Sequence, residues 1–447
     1  MNVEEKHPEY FGRLKEWSLC TASLIGETAI KSGTESYLPK PQSFNQLKAE
    51  TSAAFYKSYQ AKASFPDTFS RTVDAMLGII HDKRPDIQVP PKMEYLLSDI
   101  DGKGTTLTEF HKQITLELLV LGRVGVLSDV KLEGGEPYLA KYKAASIINW
   151  DNDFVVLDES GKVRNEFHWD EIKQHRVLSL VDGAYVQDVY SNDKDKESYE
   201  PKAQGGSRLD SVPFTFINTL ESSQELKTPP LIGVARALLA YYQLSADYRQ
   251  QLYMSGQGMM VALNGDAPTV VGAHIVHEMT SNKDNHAPDL KYVKVDVGGI
   301  QAHEAAMLGN KELASEAGSR LLQQSTGNAQ ESGKARGLRF KSETASIQSI
   351  SQASASGIES ALRNIADFLG VNRDEVIVTP NPELISSKLE AAELKTLHEV
   401  YLNGGMSWQT YHSQLQSGGY ISPETTADEE YNEIQKNPDL NDDGDAI

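Results

Sequence analysis

Four short stretches of this chain carry residue types with which proteins do chemistry, and each lacks a part that the chemistry needs. Gly327-Asn-Ala-Gln-Glu-Ser-Gly333-Lys334-Ala335 approaches a phosphate-cradling loop, but five residues separate its glycines and Ala335 stands where a hydroxyl must reach magnesium. Its flanks read as helix–loop–helix, whereas such a loop follows a buried strand. His303-Glu304-Ala305-Ala306-Met307 starts as a two-histidine zinc helix does, yet Met307 takes the second ligand position. His274 and His277, beside Glu278, lie in a strand-like or turn segment, where their imidazoles point to opposite faces and share no metal. Asp439-Leu440-Asn441-Asp442-Asp443-Gly444-Asp445 matches the first half of a calcium loop, and the sequence ends at Ile447, short of the bidentate Glu that closes one. A solvated acidic tail over 437–447 is the better expectation. No G-x-S-x-G, CxxC or dinucleotide fingerprint occurs. Cys20 reads as a helix-packing residue. The motifs predict no catalytic residue, no metal and no cofactor.

The elements that would position any site come in blocks. Residues 9–120 read mainly helical: Ser43–Gln60 with Leu47, Phe55 and Tyr59, Phe69–Ile80 with Val73, Met76 and Leu77, and Thr108–Leu121 with Phe110, Ile114 and Leu118. After Gly122 the period changes to two. Short β runs are expected at Val124–Val130, Tyr138–Tyr142, Ser146–Trp150, Phe154–Leu157, Val163–Trp169, Val177–Val181 and Val212–Asn218. Asp182-Gly183 is the cleanest hairpin signal, because Asp-Gly accepts the positive φ angles of a type I′ turn. Lys194–Arg208 reads as an exposed loop. Val234, Leu238, Tyr241, Ser245, Tyr248 and Leu252 then predict a helix over Leu231–Ser255, about 37 Å long at ~1.5 Å per residue. A Gly- and Pro-punctuated insertion with strand-like Met259–Leu263, Val270–Val276 and Leu290–Val297 precedes a second helix over Gln301–Gln323. Ser325–Arg339 shows no periodicity. A helix over Ser342–Leu369 follows, striped by Ile347, Ile350, Ile358, Leu362 and Ile365. Shorter helices are expected at Leu384–Leu402, Trp408–Gln416 and Pro423–Lys436, the last capped by Ser422.

At 447 residues the chain exceeds a typical domain, so more than one packing unit is expected. It carries 43 Lys+Arg against 63 Asp+Glu, a formal net charge of -20. Its pI near 5.0 argues against a surface that grips nucleic acid all over. Residues 424–447 hold nine acids against Lys436, which leaves about -12 on the remainder. The mean hydropathy of -0.44 and apolar runs no longer than Leu116–Leu121 predict no membrane span. A single cysteine excludes an internal disulfide framework.

The order of blocks and certain strings resemble the portal proteins of tailed bacteriophages. The strings are Trp17 with Tyr37-Leu38-Pro39-Lys40, then Thr72-Val73-Asp74-Ala75-Met76-Leu77-Gly78-Ile79-Ile80, Arg84-Pro85-Asp86-Ile87 and Asp99-Ile100-Asp101-Gly102. Leu121-Gly122-Arg123-Val124-Gly125-Val126, Ile147-Ile148-Asn149-Trp150, Pro230-Leu231-Ile232-Gly233, Gly404-Gly405-Met406-Ser407 and Leu415-Gln-Ser-Gly418-Gly419 follow in order. The resemblance spans roughly residues 10–425.

This resemblance implies an α+β portal fold with a helical stem and crown, a mixed α/β wing and a small α/β clip. Laid on this chain it gives a wing at 1–230, stem helices at 231–256 and 301–324, a clip at 257–300 and a tunnel loop at 325–341. The long wing helix would be 342–379 and the crown 380–436. Gly309 and Gly318 interrupt the expected second stem helix. It further implies a homo-oligomeric ring, commonly of twelve subunits, at one vertex of the virion. Double-stranded DNA passes through it without sequence readout, and the terminase large subunit, head-completion adaptors, and capsid and scaffolding proteins are its partners.

A DNA channel must surround a polyanion without holding it. Twelve acidic copies, about -240 in total, satisfy that. Lys334, Arg336, Arg339 and Lys341 against Glu331 make the tunnel loop the basic exception, either touching the DNA backbone in passing or pairing with nearby acids. Met259, Met260, Val270 and Val271 are candidates for docking partners at the clip, or for its small core. Tyr241, Tyr242 and Tyr248 are candidates for packing between subunits. Two other classes stay open: a capsid-associated adaptor that never encircles DNA, and an enzyme with an unrecognised site.

Overall fold

Thr106 starts the helix around which the larger unit packs. Its hydroxyl accepts from the Glu109 amide at 3.2 Å while the Glu109 carboxylate accepts from the Thr106 amide at 3.0 Å, a capping box that satisfies two otherwise orphaned donors. At the other end Gly122 adopts φ 73, which a side chain would resist, and its amide donates to Leu118.

The computed structural model describes residues 2–130, 135–191, 195–256, 259–266, 280–281, 286–293, 299–319, 333–380, 391–417, 420–422 and 425–436. The chain divides into two compact units, Met1–Pro380 and Asn381–Ile447. Helices of the first are α1 (Tyr10–Ile25), α2 (Glu27–Ser32), α3 (Ala49–Lys62), α4 (Thr68–Ile80), α5 (Tyr95–Ser98), α6 (Leu107–Leu121), α7 (Ile232–Gly256), α8 (Ile300–Ser319) and α9 (Gly333–Leu369). Its strands are β1 (Asp86–Gln88), β2 (Arg123–Asp129), β3 (Tyr138–Lys143), β4 (Ile147–Trp150), β5 (Phe154–Asp158), β6 (Gly161–Asn165) and β7 (His168–Ile172). They continue with β8 (Gln174–Val181), β9 (Ala184–Ser191), β10 (Asp195–Tyr199), β11 (Phe214–Asn218), β12 (Met259–Leu263), β13 (Asp289–Val293) and β14 (Ile377–Thr379). The fold is α+β. No helix among the described residues is long and apolar enough to cross a membrane.

The core sits where α6 and α9 meet the sheet β11-β2-β3. Every residue of β2 and β11 is buried, as expected for strands covered on both faces. Helix α9 lays Ile347, Ile350, Ile358, Leu362 and Ile365 into this core, the stripe that its 3.6-residue period predicts. Gly357 sets how closely it approaches: a Cβ there would stand 2.4 Å from Ile217 Cδ1, so only glycine lets helix and strand meet. Ser128 adds a hydroxyl bond of 2.8 Å to the Ala361 carbonyl. A second sheet, β10-β9-β8-β5-β4, is antiparallel throughout. Its β8–β9 turn is built as Asp182-Gly183 demands, with φ 49 and 75.

Three sequence expectations need correction here. Val163–Trp169 is not one strand but the hairpin β6–β7, which turns at Glu166-Phe167 without Gly or Asn to mark it. The supposed loop Lys194–Arg208 contains β10, whose polar residues suit an edge strand paired to β9 alone. Between 42 and 62 the chain forms a 3-10 turn and then α3. That helix buries Tyr56 and Tyr59 and leaves Phe55 exposed, and Leu47, just ahead of it, is exposed too.

The second unit contains α10 (Ala391–Leu402), α11 (Trp408–Ser417) and α12 (Ala427–Lys436). Tyr401 stacks on Tyr411 at 4.5 Å, and Trp408 Nε1 donates to the Ala427 carbonyl at 2.7 Å. Gly404 ends α10 at φ 73. Helix α12 begins later than expected, because Thr426 and Glu429 form its capping box and Ser422 does not.

Candidate assembly interface

Helices α7 and α8 run antiparallel. Tyr248 donates to Glu304 at 2.6 Å, Gly299 meets Gln251, and Gly233 meets Ala317, so residue numbers rise on one helix as they fall on the other. Strands β12 and β13 pair in register from Met259↔Val293 to Leu263↔Asp289 and join the far ends of the two helices as a hairpin ladder. A helix–hairpin–helix limb results, with α7 about 37 Å long at ~1.5 Å per residue.

From Arg236 to Asp247 α7 is held by the body. Arg236 pairs with Glu16 at 2.8 Å, Gln243 donates to the Tyr37 carbonyl at 2.8 Å, and Ser245 accepts from the Ser64 amide at 2.9 Å. Asp247 accepts from Tyr59 at 2.5 Å. Beyond that, apolar side chains lie open: Leu252 and Met254 on α7, Leu263 and Val293 on the hairpin, Leu308 and Leu313 on α8.

The structure separates the three tyrosines singled out for packing between subunits. Tyr242 is 0% exposed, packed edge-to-face on Phe65 within its own chain, so it cannot meet a second copy. The buried stripe of α7 is Val234, Ala235, Leu238, Tyr242, Ser245 and Ala246, rotated from the predicted one because alanines on that side admit the body closely. Tyr248 spends its hydroxyl on Glu304, which raises the phenol above its usual range. Tyr241 is half-buried.

At the clip, Met260 is half-buried on β12 beside Met259, while Val270 and Val271 fall outside the described residues. The expected tunnel loop also changes. Its part at 325–332 lies outside the described residues, but Gly333–Lys341 is the start of α9, so Lys334, Arg336, Arg339 and Lys341 stand on helical backbone. Lys-Ala-Arg and Leu-Arg-Phe-Lys are good helix formers that outweigh Gly337. His274, His277 and the calcium-like tail also lie outside the described residues, and those residues contain no cluster able to hold a metal ion.

Two largely buried polar clusters are site-like, and no local pattern marks either because their members are far apart in the chain. In the first, Arg176 donates to Glu159 at 2.8 Å, to Gln187 at 2.7 Å and to Tyr199 at 2.7 Å. Asp129 accepts from Gln187 at 2.8 Å and from Tyr138 at 3.2 Å. Each charge is answered inside the network, which therefore ties β2 and β3 to β8 and β9 and leaves no free group for chemistry. In the second, His81 meets His111 edge-to-face at 4.8 Å. Each imidazole bonds a hydroxyl, Thr115 at 3.0 Å and Ser354 at 2.9 Å respectively. Burial keeps both rings neutral. Cys20 is buried in α1, and burial, with Glu16 nearby, pushes its thiol up to about 12, so it is no nucleophile.

Residues 230–369, which span the limb and α9, match the family described as a domain of unknown function, DUF4055. No curated protein matches the chain. Among solved structures it is similar to a chain in the neck of a native GTA particle computed with C12 symmetry, at 14% identity and TM-score 0.40, covering 78% of this chain and 89% of that one. It is also similar to a chain in the virion of a native gene transfer agent particle, at 13% identity and TM-score 0.41, covering 80% and 92%. A chain in the neck of an empty GTA particle computed with C6 symmetry matches at 12% identity and TM-score 0.39, covering 78% and 90%. At such identities and TM-scores, any functional reading has to stand on the geometry of the chain itself.

Proposed function

We propose that this chain is a portal subunit of a tailed-phage-like particle. Copies close head-to-tail into a ring whose bore passes double-stranded DNA during packaging and ejection. The observation that carries this reading is the α7–hairpin–α8 limb, whose own chain leaves Leu252, Met254, Leu308 and Leu313 uncovered. Apolar side chains along a solvated helix pair mark a contact surface. Side-by-side packing of limbs buries them, and a heterologous contact that closes on itself makes a ring.

Each copy as a whole is acidic, with a formal charge of -20, so a ring of copies repels phosphate overall. Lys334, Arg336, Arg339 and Lys341 supply local positive charge that touches the DNA backbone without reading bases. The clip end, with Met259, Met260, Val270 and Val271, takes the packaging motor (the terminase large subunit) and later the head-completion adaptors. Capsid and scaffolding proteins meet the wing. The ring sits at one vertex of the virion and is assembled in the host cytoplasm.

Purified protein should form particles near 592 kDa, about twelve copies of 49.3 kDa, with a central hole by negative-stain microscopy. A monomer or dimer under every condition would count against a ring and for an adaptor. A particle of other copy number with an axial hole keeps the reading. Neutralising the four cations to Gln should leave ring mass unchanged while DNA packaging or retention changes. Unchanged packaging would remove them from the channel.

A further inference from the structure

The hairpin β6–β7 stands apart from the rest of the first unit. All five residues of β6 and four of β7 are exposed, and the pair forms a sheet of its own. Val163 faces Asp170 across the ladder and Trp169 faces Arg164, so the two large apolar residues lie on opposite faces, 48% and 57% exposed. Two-stranded ribbons of this kind are marginal in water by themselves. The turn adds two further costs. Glu166 sits at φ 52, a conformation that disfavours a side chain, and Phe167 is 94% exposed. A bare phenylalanine at the end of such a ribbon gains from any partner that takes its apolar area out of water.

The same chain carries a cavity of about 480 Å³ suited to that ring. Buried Trp17 and Leu121 line it, with Ile25 exposed and Tyr37 and Ser18 alongside. Lys143 also borders it. Its nearest carboxylate, Glu117, is 3.9 Å away and shared with Lys141, whereas Glu166 beside Phe167 has no ion pair among the described residues. The aromatic tip and its acidic neighbour match the apolar cavity and its basic edge.

We propose that the β6–β7 hairpin of one copy inserts Phe167 into the α1–α2 cavity of the next, with Glu166 meeting Lys143. Plug and socket lie on different elements and are present once per copy, which is what a head-to-tail contact requires. The inference rests on the self-association proposed above but not on DNA passing through the ring.

The test is a disulfide between copies. In a Cys20→Ser background, full-length chains carrying Phe167→Cys and Ser18→Cys are co-expressed with different tags and oxidised. Cross-linked species containing both tags are expected, and chains carrying both substitutions should give a ladder of covalent multimers. Phe167→Asp should lower the particle mass and leave the melting temperature of the dissociated chain unchanged, since the ring touches nothing in its own chain. Rings that form without any cross-link between tags overturn the plug and leave the ring standing. A cross-link to another particle protein in place of Ser18→Cys, or one confined within single chains, also overturns it. Absence of both rings and cross-links removes the plug and the ring together.

Discussion

Replacing Arg176 by Leu is expected to cost about 3–5 kcal/mol of folding stability, while replacing Arg123 by Leu should leave stability unchanged or raise it by up to about 2 kcal/mol. Arg123 is buried and Arg176 mostly so, with 17% of its side chain exposed, and the opposite outcomes follow from their partners. Arg176 neutralises Glu159 and lies 3.4 Å from Asp129. Burial alone would lower its pKa, but the neighbouring Glu159 carboxylate raises it above the usual arginine range. Without the guanidinium, two carboxylates stay in a low-dielectric interior with no cation, and that uncompensated charge is what costs so much.

Arg123 is 1% exposed and, among the described residues, its three guanidinium nitrogens find no hydrogen-bond partner. It lies between Trp150, 3.9 Å from the ring, and Phe216 at 4.8 Å. Burial lowers its pKa to about 9, and Glu9 offsets this only in part. The ring contacts contribute about 2 kcal/mol in a desolvated setting, against several kcal/mol for burying the ion. An apolar side chain of similar reach keeps the packing and removes the desolvation. Urea unfolding of the two variants checks the pair. Equal losses for both would mean that hydrogen-bond satisfaction does not decide how much a buried charge costs here.

Lowering the pH from 6.5 to 4 should progressively destabilise the first unit through His81 and His111. Burial holds His81 at about 4 and His111 at about 3, each further lowered by a neighbouring positive or ionisable group, Lys112 for His81 and His81 for His111. An unfolded histidine titrates near ~6.5. Between those values the unfolded chain binds protons that the folded chain refuses, so stability rises with pH across the window. The contribution is complete above about 6.5 and erodes below it, by at most ~1.4 kcal/mol per pH unit for each ring. His81, which is less buried, contributes the smaller share. Protonation would place a cation between α4, α6 and α9, where Thr115 and Ser354 offer hydroxyls but no carboxylate. Carboxylates elsewhere also respond to acid, so the informative comparison is between the native chain and His81→Gln/His111→Gln. The double variant should lose much of the slope between pH 6.5 and 4. Parallel curves would show that the pair does not titrate in this range.

Much of the architecture was written locally. The stripes of α4, α6 and α9, the Gly122 stop and the Asp182-Gly183 turn each depend on residues within a few positions of one another, and the structure places all of them as their periodicity requires. The order helix, strand-bearing insertion, helix over 232–319 was legible for the same reason, with the expected strand at Val270–Val276 outside the described residues. What the sequence did not reveal depends on partners distant along the chain. A polar ribbon such as β10 becomes a strand only because β9 offers an edge. Tyr242 rather than Tyr241 faces the body because α3 and the Phe65 ring occupy that side. The Arg176 network gathers Asp129, Gln187 and Tyr199 from separate strands and Glu159 from the turn after β5, and β1 finds β14 across nearly 300 residues. Sequence by itself determined most of the helices, the first turns of α9 excepted, and where most turns fall, because backbone preferences and hydrophobic period act over short range. Which side of each helix is buried, which charges are answered and which apolar groups are left bare were decided only in the tertiary structure, because burial and desolvation depend on everything that surrounds a side chain.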